Sequence, residues 1–517
     1  MLHSTDSVLV QEYASLGSPF LTNVPATPWK TPAHWVAVNT ALADQIGLNP
    51  AALQSSDGLD VLSGAQPWPG YASRASVYCG HQFGVFVPQL GDGRALLIAE
   101  IRKGRQYQQL QLKGAGPTPY SRHADGRAVL RSSIREYLCS EAMHHLGIPT
   151  TRALGLTASS DPVFRETTET AAIVCRVSPS FLRFGHLEYF CYTNQHDRLR
   201  ELLSWHLDHQ HPDIDQGNND EDFSNAVLQW LRTVVHSTAK LMAAWQAVGF
   251  CHGVMNTDNM SVLGLTIDYG PFGFMDAFDV DHVCNHSDHN GRYSYRNQPR
   301  IGHWNLYALA QALTPLLKFE KDTIQAVLDE FADVFHQEHN ATFAAKLGLI
   351  SSSARSRPCT ATHDEAVEQT LQFMHQHHLD FTRFFRSLAV LNPLNCTADN
   401  FAAWQSSPYC PLTLGDEQQV TDAQHWLTRW SQWYTALNPD VAFDAVAWRT
   451  GLNILNPAWI LRNHLLQTAI EQAQQGDFAE VNRLAHALSH PFDDHHADTD
   501  LAAPPEWARG LVLSCSS

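Results

Sequence analysis

Basic residues are scarce in this 517-residue chain: 34 Lys and Arg stand against 52 Asp and Glu, a formal net charge of −18. That balance leaves no broad cationic face, which argues against non-specific binding to nucleic acid or to an anionic membrane, although a local basic pocket is still allowed. Long apolar runs are also missing, and none approaches the roughly 18 residues of a membrane span. Met1 to Tyr13 has neither the charged-then-apolar pattern of a secretory signal nor the Arg-rich, acid-poor pattern of a transit peptide. The ten cysteines include no C-x-x-C pair, so no structural zinc site is expected and reduced cytoplasmic thiols are the default. There is no G-x-S-x-G elbow, no lysine-bearing phosphate loop, no H-E-x-x-H, no G-x-G-x-x-G after a first strand and no internal repeat. The expectation is a cytoplasmic globular protein, 44% hydrophobic, with two or three lobes.

What is present concentrates between Phe250 and Asp279. His252-Gly253 opens a loop and Asp258-Asn259 closes it. Met260–Ile267 is apolar enough for a buried strand, and Asp268-Tyr269-Gly270 follows. Kinase-like phosphotransferases hold a divalent cation in this order, with an Asn ending a loop and an Asp-x-Gly one short hairpin later. Asn259 and Asp268 are hard oxygen donors suited to Mg²⁺ or Mn²⁺. Two residues after His252, where a kinase places its proton-accepting Asp, stands Val254. The one carboxylate left in that loop is Asp258.

Upstream, the pattern predicts strands over Leu96–Glu100 and Tyr107–Lys113, with Gly91-Asp92-Gly93-Arg94 as a hairpin tip. A helix follows over Ala128–Leu146, stopped by Gly147 and Pro149. A strand ending in Lys113, then a helix carrying Glu136, has the order of the kinase Lys–Glu pair that grips phosphates. Ala171–Val177 reads as a strand containing Arg176, with Arg183 seven residues on. A buried Arg of this kind needs either a phosphate or a structural carboxylate. His211–Asp222 reads as a surface loop, Ser224–Val248 as an amphipathic helix, and Trp304–Leu317 as a further helix. The histidines at 206, 209 and 211 and at 375, 377 and 378 read as solvated surface.

Three stretches resemble the selenoprotein O family of protein adenylyltransferases: Y-C-G-H-Q-F-G…L-G-D-G-R from Tyr78, L-K-G-A-G-P-T-P-Y-S-R-H-A-D-G-R-A-V-L-R-S-S-I-R-E-Y from Leu112, and H-G-V-M-N-T-D-N-M…I-D-Y-G-P-F-G-F-M-D from His252. The likeness extends over nearly the whole chain, to a Cys-Ser-Ser end in which Cys515 stands where eukaryotic members carry selenocysteine. The resemblance implies an α+β, bilobal protein-kinase-like fold. The divisions expected are a leader over 1–65, a β-rich lobe over 66–190, a helical lobe over 191–345 and a helical extension over 346–517. It further implies that ATP binds in a flipped orientation and that AMP passes to Ser, Thr or Tyr hydroxyls of proteins, with UMP transfer when Mn²⁺ replaces Mg²⁺. By matching motif, Lys113 contacts phosphates and Glu136 orients it. Gly91, Gly93, Arg94, Asp125, Gly126, Arg176 and Arg183 line the nucleotide pocket, and Asn259 and Asp268 hold the metal. Asp258 is either the proton acceptor or an aid to coordination.

The resemblance also supports a redox bridge between Cys284 and Cys515, against the plain reading of two reduced thiols. The partners expected are ATP and protein substrates, with no nucleic acid or membrane, and the chain is expected to be a monomer. Two other functions fit the residues less well. A conventional kinase is opposed by Val254. A non-catalytic, nucleotide-binding pseudokinase scaffold is opposed by the retention of Lys113, Glu136, Asn259 and Asp268.

Overall fold

The computed structural model describes every residue except 1, 351–357, 396, 414, 440–441, 495–500, 502, 509–510 and 512–517. Cys396 and Cys515 are among these, so the Cys284–Cys515 pairing lies outside the described residues. Cys284 itself is half-buried, with its thiol 3.4 Å from the Cys251 carbonyl.

The amino-terminal third is β-rich and the remainder helical. Short strands β1 (Val8–Val10), β2 (Leu21–Asn23), β3 (His34–Val38) and β4 (Arg74–Ser76) precede a small hairpin of β5 (Gly80–Gln82) and β6 (Val85–Val87). Next come β7 (Ala95–Lys103), β8 (Gln106–Lys113), β9 (Ala128–Val129), β10 (Arg152–Phe164) and β11 (Thr168–Ser178). All except β5 and β6 form one antiparallel sheet in the order β2-β4-β7-β8-β11-β10-β3, with β1 beside β7 and β9 beside β11. Helices α1 (Thr40–Gln45), α2 (Pro50–Gln54) and α3 (Ser56–Leu62) fill the gap between β3 and β4.

The helix after β9, α4 (Leu130–His145), decides where the site lies. It packs on β10 and β11 on one side and on the carboxy-terminal helices Asn463–Gln474 and Ala479–Leu488 on the other. Twelve of its sixteen residues are consequently buried, Arg135 and Glu136 among them. Helices α5 (Phe184–Tyr192), α6 (His196–Gln210), α7 (Asp220–Ala247), α8 (Gln298–Leu313) and α9 (Lys321–Lys346) follow. Central to them is α7, whose buried face includes Trp230, Leu231, Val234, Val235, Met242 and Trp245.

The strand and helix expectations hold, with ends shifted by a few residues. The helix expected from Trp304 moves most, starting at Gln298 with Pro299 in its first turn, and α7 starts early because Asn219 caps it by accepting hydrogen bonds from the amides of Glu221 and Asp222. Three expectations fail. Met260–Ile267 is not a strand: its amides and carbonyls bond to two separate segments (Met260 O to Phe184 N and Val262 N to Leu182 O at one end, Thr266 N to Pro149 O at the other), so no continuous ladder forms. Gly91–Arg94 is not a hairpin tip; it runs beside β4 through Asp92 N to Ser76 O at 2.9 Å and then enters β7. His206 is buried, at 1% exposure, against His211 and Trp230 rather than solvated.

The chain after the metal-type loop is anchored from the far end of the molecule. Arg462, fully buried, pairs with Asp276 and, at 2.9 Å, with Asp380. Replacing it by alanine strands two carboxylates, and Arg462→Ala should lower unfolding free energy by about 3–5 kcal/mol in urea titration.

Candidate functional site

Every site residue expected from the sequence lines a single cavity of about 650 Å³ at the edge of the sheet. Its floor is built from three elements. Lys113, the last residue of β8, is paired in register with Ala95 and Val174. Glu136 comes from the middle of α4, and its Oε2 lies 2.6 Å from Lys113 Nζ. Arg176 comes from β11 opposite Gln111; it donates to Gln111 Oε1, Asp268 and, at 3.3 Å, Glu136.

Asp268 receives the convergent charge. One carboxylate oxygen accepts from Arg176 and the other from Arg183, while Lys113 Nζ stands 3.6 Å away. Burial would raise its pKa, but Arg183, Arg176 and Lys113 outweigh this and hold it well below the usual carboxylate range. Its backbone sits at φ +58°, a conformation uncommon for a non-glycine residue. The surrounding bonds impose that geometry. The ring of His252 stacks on Trp245 at 5.3 Å, and its Nε2–H donates to Ile267 O at 2.8 Å. Burial keeps His252 neutral, so Nδ1 can accept from the amide of Val254. From the other side Arg135 donates to Phe272 O at 2.6 Å, tying α4 to the same segment.

The loop from Val254 to Asn259 closes the cavity. Asn259 donates to Val254 O at 3.2 Å, which leaves its amide oxygen as an acceptor. Asp258 is buried, and Arg183 donates to its main-chain carbonyl at 2.7 Å. Gln82 donates to Asp258 Oδ2 at 3.3 Å, whereas Oδ1 has no hydrogen-bond partner among the described residues. Burial, only partly offset by Arg183, raises the Asp258 pKa to about 6. Gly80 permits this packing, since a Cβ there would lie 2.6 Å from Asp258 Oδ1.

The rim is the glycine-rich segment 116–126. Gly126, at φ +66°, lies so close to Gly116 that a Cβ would fall 2.2 Å from its carbonyl carbon. Asp125 stands at the edge, its carboxylate gripped by both terminal nitrogens of Arg165 at 2.8 and 3.0 Å. Sequence reasoning missed Arg122, Arg127 and Arg165, which also line the cavity, and Gln82 beside Asp258. Gln82, Arg122 and Arg127 lie inside the motifs that carry the family resemblance, whereas Arg165 carries no local signal. Seven cationic side chains (Arg94, Lys113, Arg122, Arg127, Arg165, Arg176, Arg183) face five carboxylates (Asp92, Asp125, Glu136, Asp258, Asp268), a net of two positive charges inside a chain of −18. Such a hollow suits a compact polyanion carrying several phosphates.

The class of protein defined here is one with a cation-lined cavity, suited to a phosphorylated ligand, beside an antiparallel sheet. Residues 6–489 match the family model described as protein adenylyltransferase SelO, and the chain belongs to that family. It is similar to the "protein nucleotidyltransferase YdiU" of Bordetella avium, 46% identical over the full length of both chains. Its namesake in Burkholderia ambifaria is 46% identical over 98% of this chain and 95% of that one. The one in Methylococcus capsulatus is 46% identical, covering 99% and 97%.

A buried carboxylate with a raised pKa weakens the fold where it is charged. The unfolded chain ionises Asp258 near its ordinary value, so the cost is absent below about pH 4 and complete above the folded value of about 6. Without nucleotide or divalent cation, Asp258→Asn should be more stable than the parent at pH 8, by up to about 3 kcal/mol. That advantage should vanish toward pH 4, and urea titrations at the two pH values check it.

Proposed function

We propose that this protein transfers AMP from ATP to Ser, Thr or Tyr hydroxyls of proteins and releases pyrophosphate. The observation that carries the reading is Val254 lining the cavity where a kinase would place its base, while Asp258, buried and with one free oxygen, lines it four residues on. The family's description and the nucleotidyltransferase names of the full-length relatives support the same chemistry. The sheet-rich and helical halves are read as the two lobes of a kinase-like fold meeting near residue 190, and ATP is read as lying flipped between them.

The donor set fits a hard divalent cation. Asp268 supplies a carboxylate and Asn259 an amide oxygen that its own donor contact leaves free, both lining the cavity. Asn259 and Asp268 would hold Mg²⁺ or Mn²⁺, and nucleotide phosphates and water would complete the shell; Mn²⁺ would extend the reaction to UMP transfer. When bound, the cation neutralises phosphate charge and helps pyrophosphate depart.

The chain's own residues do the rest. Lys113, oriented by Glu136, and Arg176 and Arg183, preset around Asp268, offer donors that phosphate oxygens can share. Arg94 and the glycines at 91, 93 and 126 let the backbone approach the nucleotide, and Asp125 sets the rim through Arg165. The acceptor oxygen attacks the α-phosphorus, the bond from that phosphorus to the bridging oxygen of the β-phosphate breaks, and Asp258 receives the hydroxyl proton. Its raised pKa makes it a better base than an ordinary exposed carboxylate.

Asp268→Ala and Lys113→Ala should each reduce transfer by at least about 100-fold, because both remove preset phosphate electrostatics. Mass spectrometry of the acceptor for an AMP adduct reads this out, and undiminished adduct formation by Asp268→Ala contradicts the assignment. Val254→Asp should not produce an efficient γ-phosphate kinase. The proposed Cys284–Cys515 bridge predicts a 284–515 linked peptide after oxidation, and a map lacking it removes the bridge.

A further inference from the structure

The hairpin β5–β6 has an uncommon tip. Its two-residue tip is Phe83-Gly84, both at positive φ (+51° and +84°), in register Gln82↔Val85. Such tips ordinarily carry Asn or Asp with Gly, because a bulky side chain is strained there. Phe83 is nonetheless 43% exposed and Val85 69% exposed. Of the eleven large apolar side chains exposed among the described residues, four gather here: Phe83, Val85, Phe86 and Trp304.

They form one surface. Phe86 meets the ring of His81 at 5.2 Å, His81 meets Trp304 at 5.5 Å, and Arg292 lies over Trp304 at 5.0 Å. No ion pair joins Arg292 to a carboxylate among the described residues. The surface is also bonded to the Asp258 loop. The amide of His81 donates to Thr257 Oγ1 at 2.7 Å, that of Phe83 to Asn256 Oδ1 at 3.1 Å, and Gln82 to Asp258 itself. Asn256 Oδ1 also accepts from Tyr293 at 2.7 Å, so the loop is held from both sides of the patch.

Building on the nucleotidyl-transfer reading, we propose that the hairpin tip and Trp304 are the docking surface for the acceptor polypeptide, engaging an apolar side chain near the modified hydroxyl. The surface is continuous with the carboxylate that faces the acceptor. A residue one step from Gln82 places its side chain roughly 10 Å from that carboxylate, about three residues of extended peptide. Arg292 adds a preference for an acidic neighbour.

The test uses the full-length protein, ATP labelled at the α-phosphate, and a degenerate library of 11-residue peptides with a central Tyr, Ser or Thr. The parent should select aromatic or aliphatic residues about three positions from the labelled one. The double variant Phe83→Ser/Val85→Ser should lose that selection and about 10-fold in kcat/KM for the selected peptide, the size of one lost apolar contact. Its affinity for a fluorescent ATP analogue and its Tm should stay at the parent's values. A parent without apolar preference, or a variant that selects and labels like the parent, overturns the docking surface alone. ATP bound with no peptide labelled by the parent overturns both the surface and the nucleotidyl-transfer reading.

Discussion

The carboxylate of Asp268 between the guanidinium groups of Arg176 and Arg183 is the contact on which the cavity depends. Two arginines and Lys113 brought this close repel one another, and burial adds to the cost. Asp268 and Glu136 offset it together, each accepting from the set. The three cations are thereby fixed before any ligand arrives, and a phosphate chain would meet donors that need no reorganisation. That preset arrangement explains why Asp268 holds a positive φ and why so much buried structure converges on it. His252 holds the preceding carbonyl, α4 reaches the following segment through Arg135, and Arg462 anchors the chain further on.

Two neighbouring aspartates thus sit in opposite electrostatic settings. Asp268, surrounded by cations, is held well below the usual carboxylate range, while Asp258, buried against Gly80 and Gln82, is raised to about 6. Pairs of carboxylates pushed apart in this way divide the labour of a reaction, one binding charge and the other moving a proton. The β5–β6 hairpin supplies the packing that creates the second environment, so the surface facing solvent and the proton-accepting group are parts of one small unit.

Much of this was legible in the chain. Lys113 and Glu136 stand out because a strictly alternating strand ends at one and a helical stretch stopped by Gly147 carries the other. Val254 is legible because a loop motif fixes its place relative to His252 and Asn259. The failures have equally local causes. Asp92-Gly93 imitates a hairpin tip, but the Asp92 side chain is drawn inward to accept from the amide and hydroxyl of Ser76. The true tip, Phe83-Gly84, lacks the Asn or Asp that signals such a turn. Met260–Ile267 has strand composition, yet its backbone partners are split between two distant segments, Leu182–Phe184 and Pro149–Thr151. Arg165 reaches the cavity rim only because β10 and β11 fold back on each other, and nothing local records that.

The central claim is that this cavity, with Val254 in place of the usual base, directs an acceptor hydroxyl at the α-phosphorus. The direct measurement is paired labelling of a protein acceptor with ATP carrying the label at either the α- or the γ-phosphate, in Mg²⁺ and in Mn²⁺. The account predicts label on protein from the α position only, with pyrophosphate released. Label from the γ position only would make the protein a kinase and contradict it.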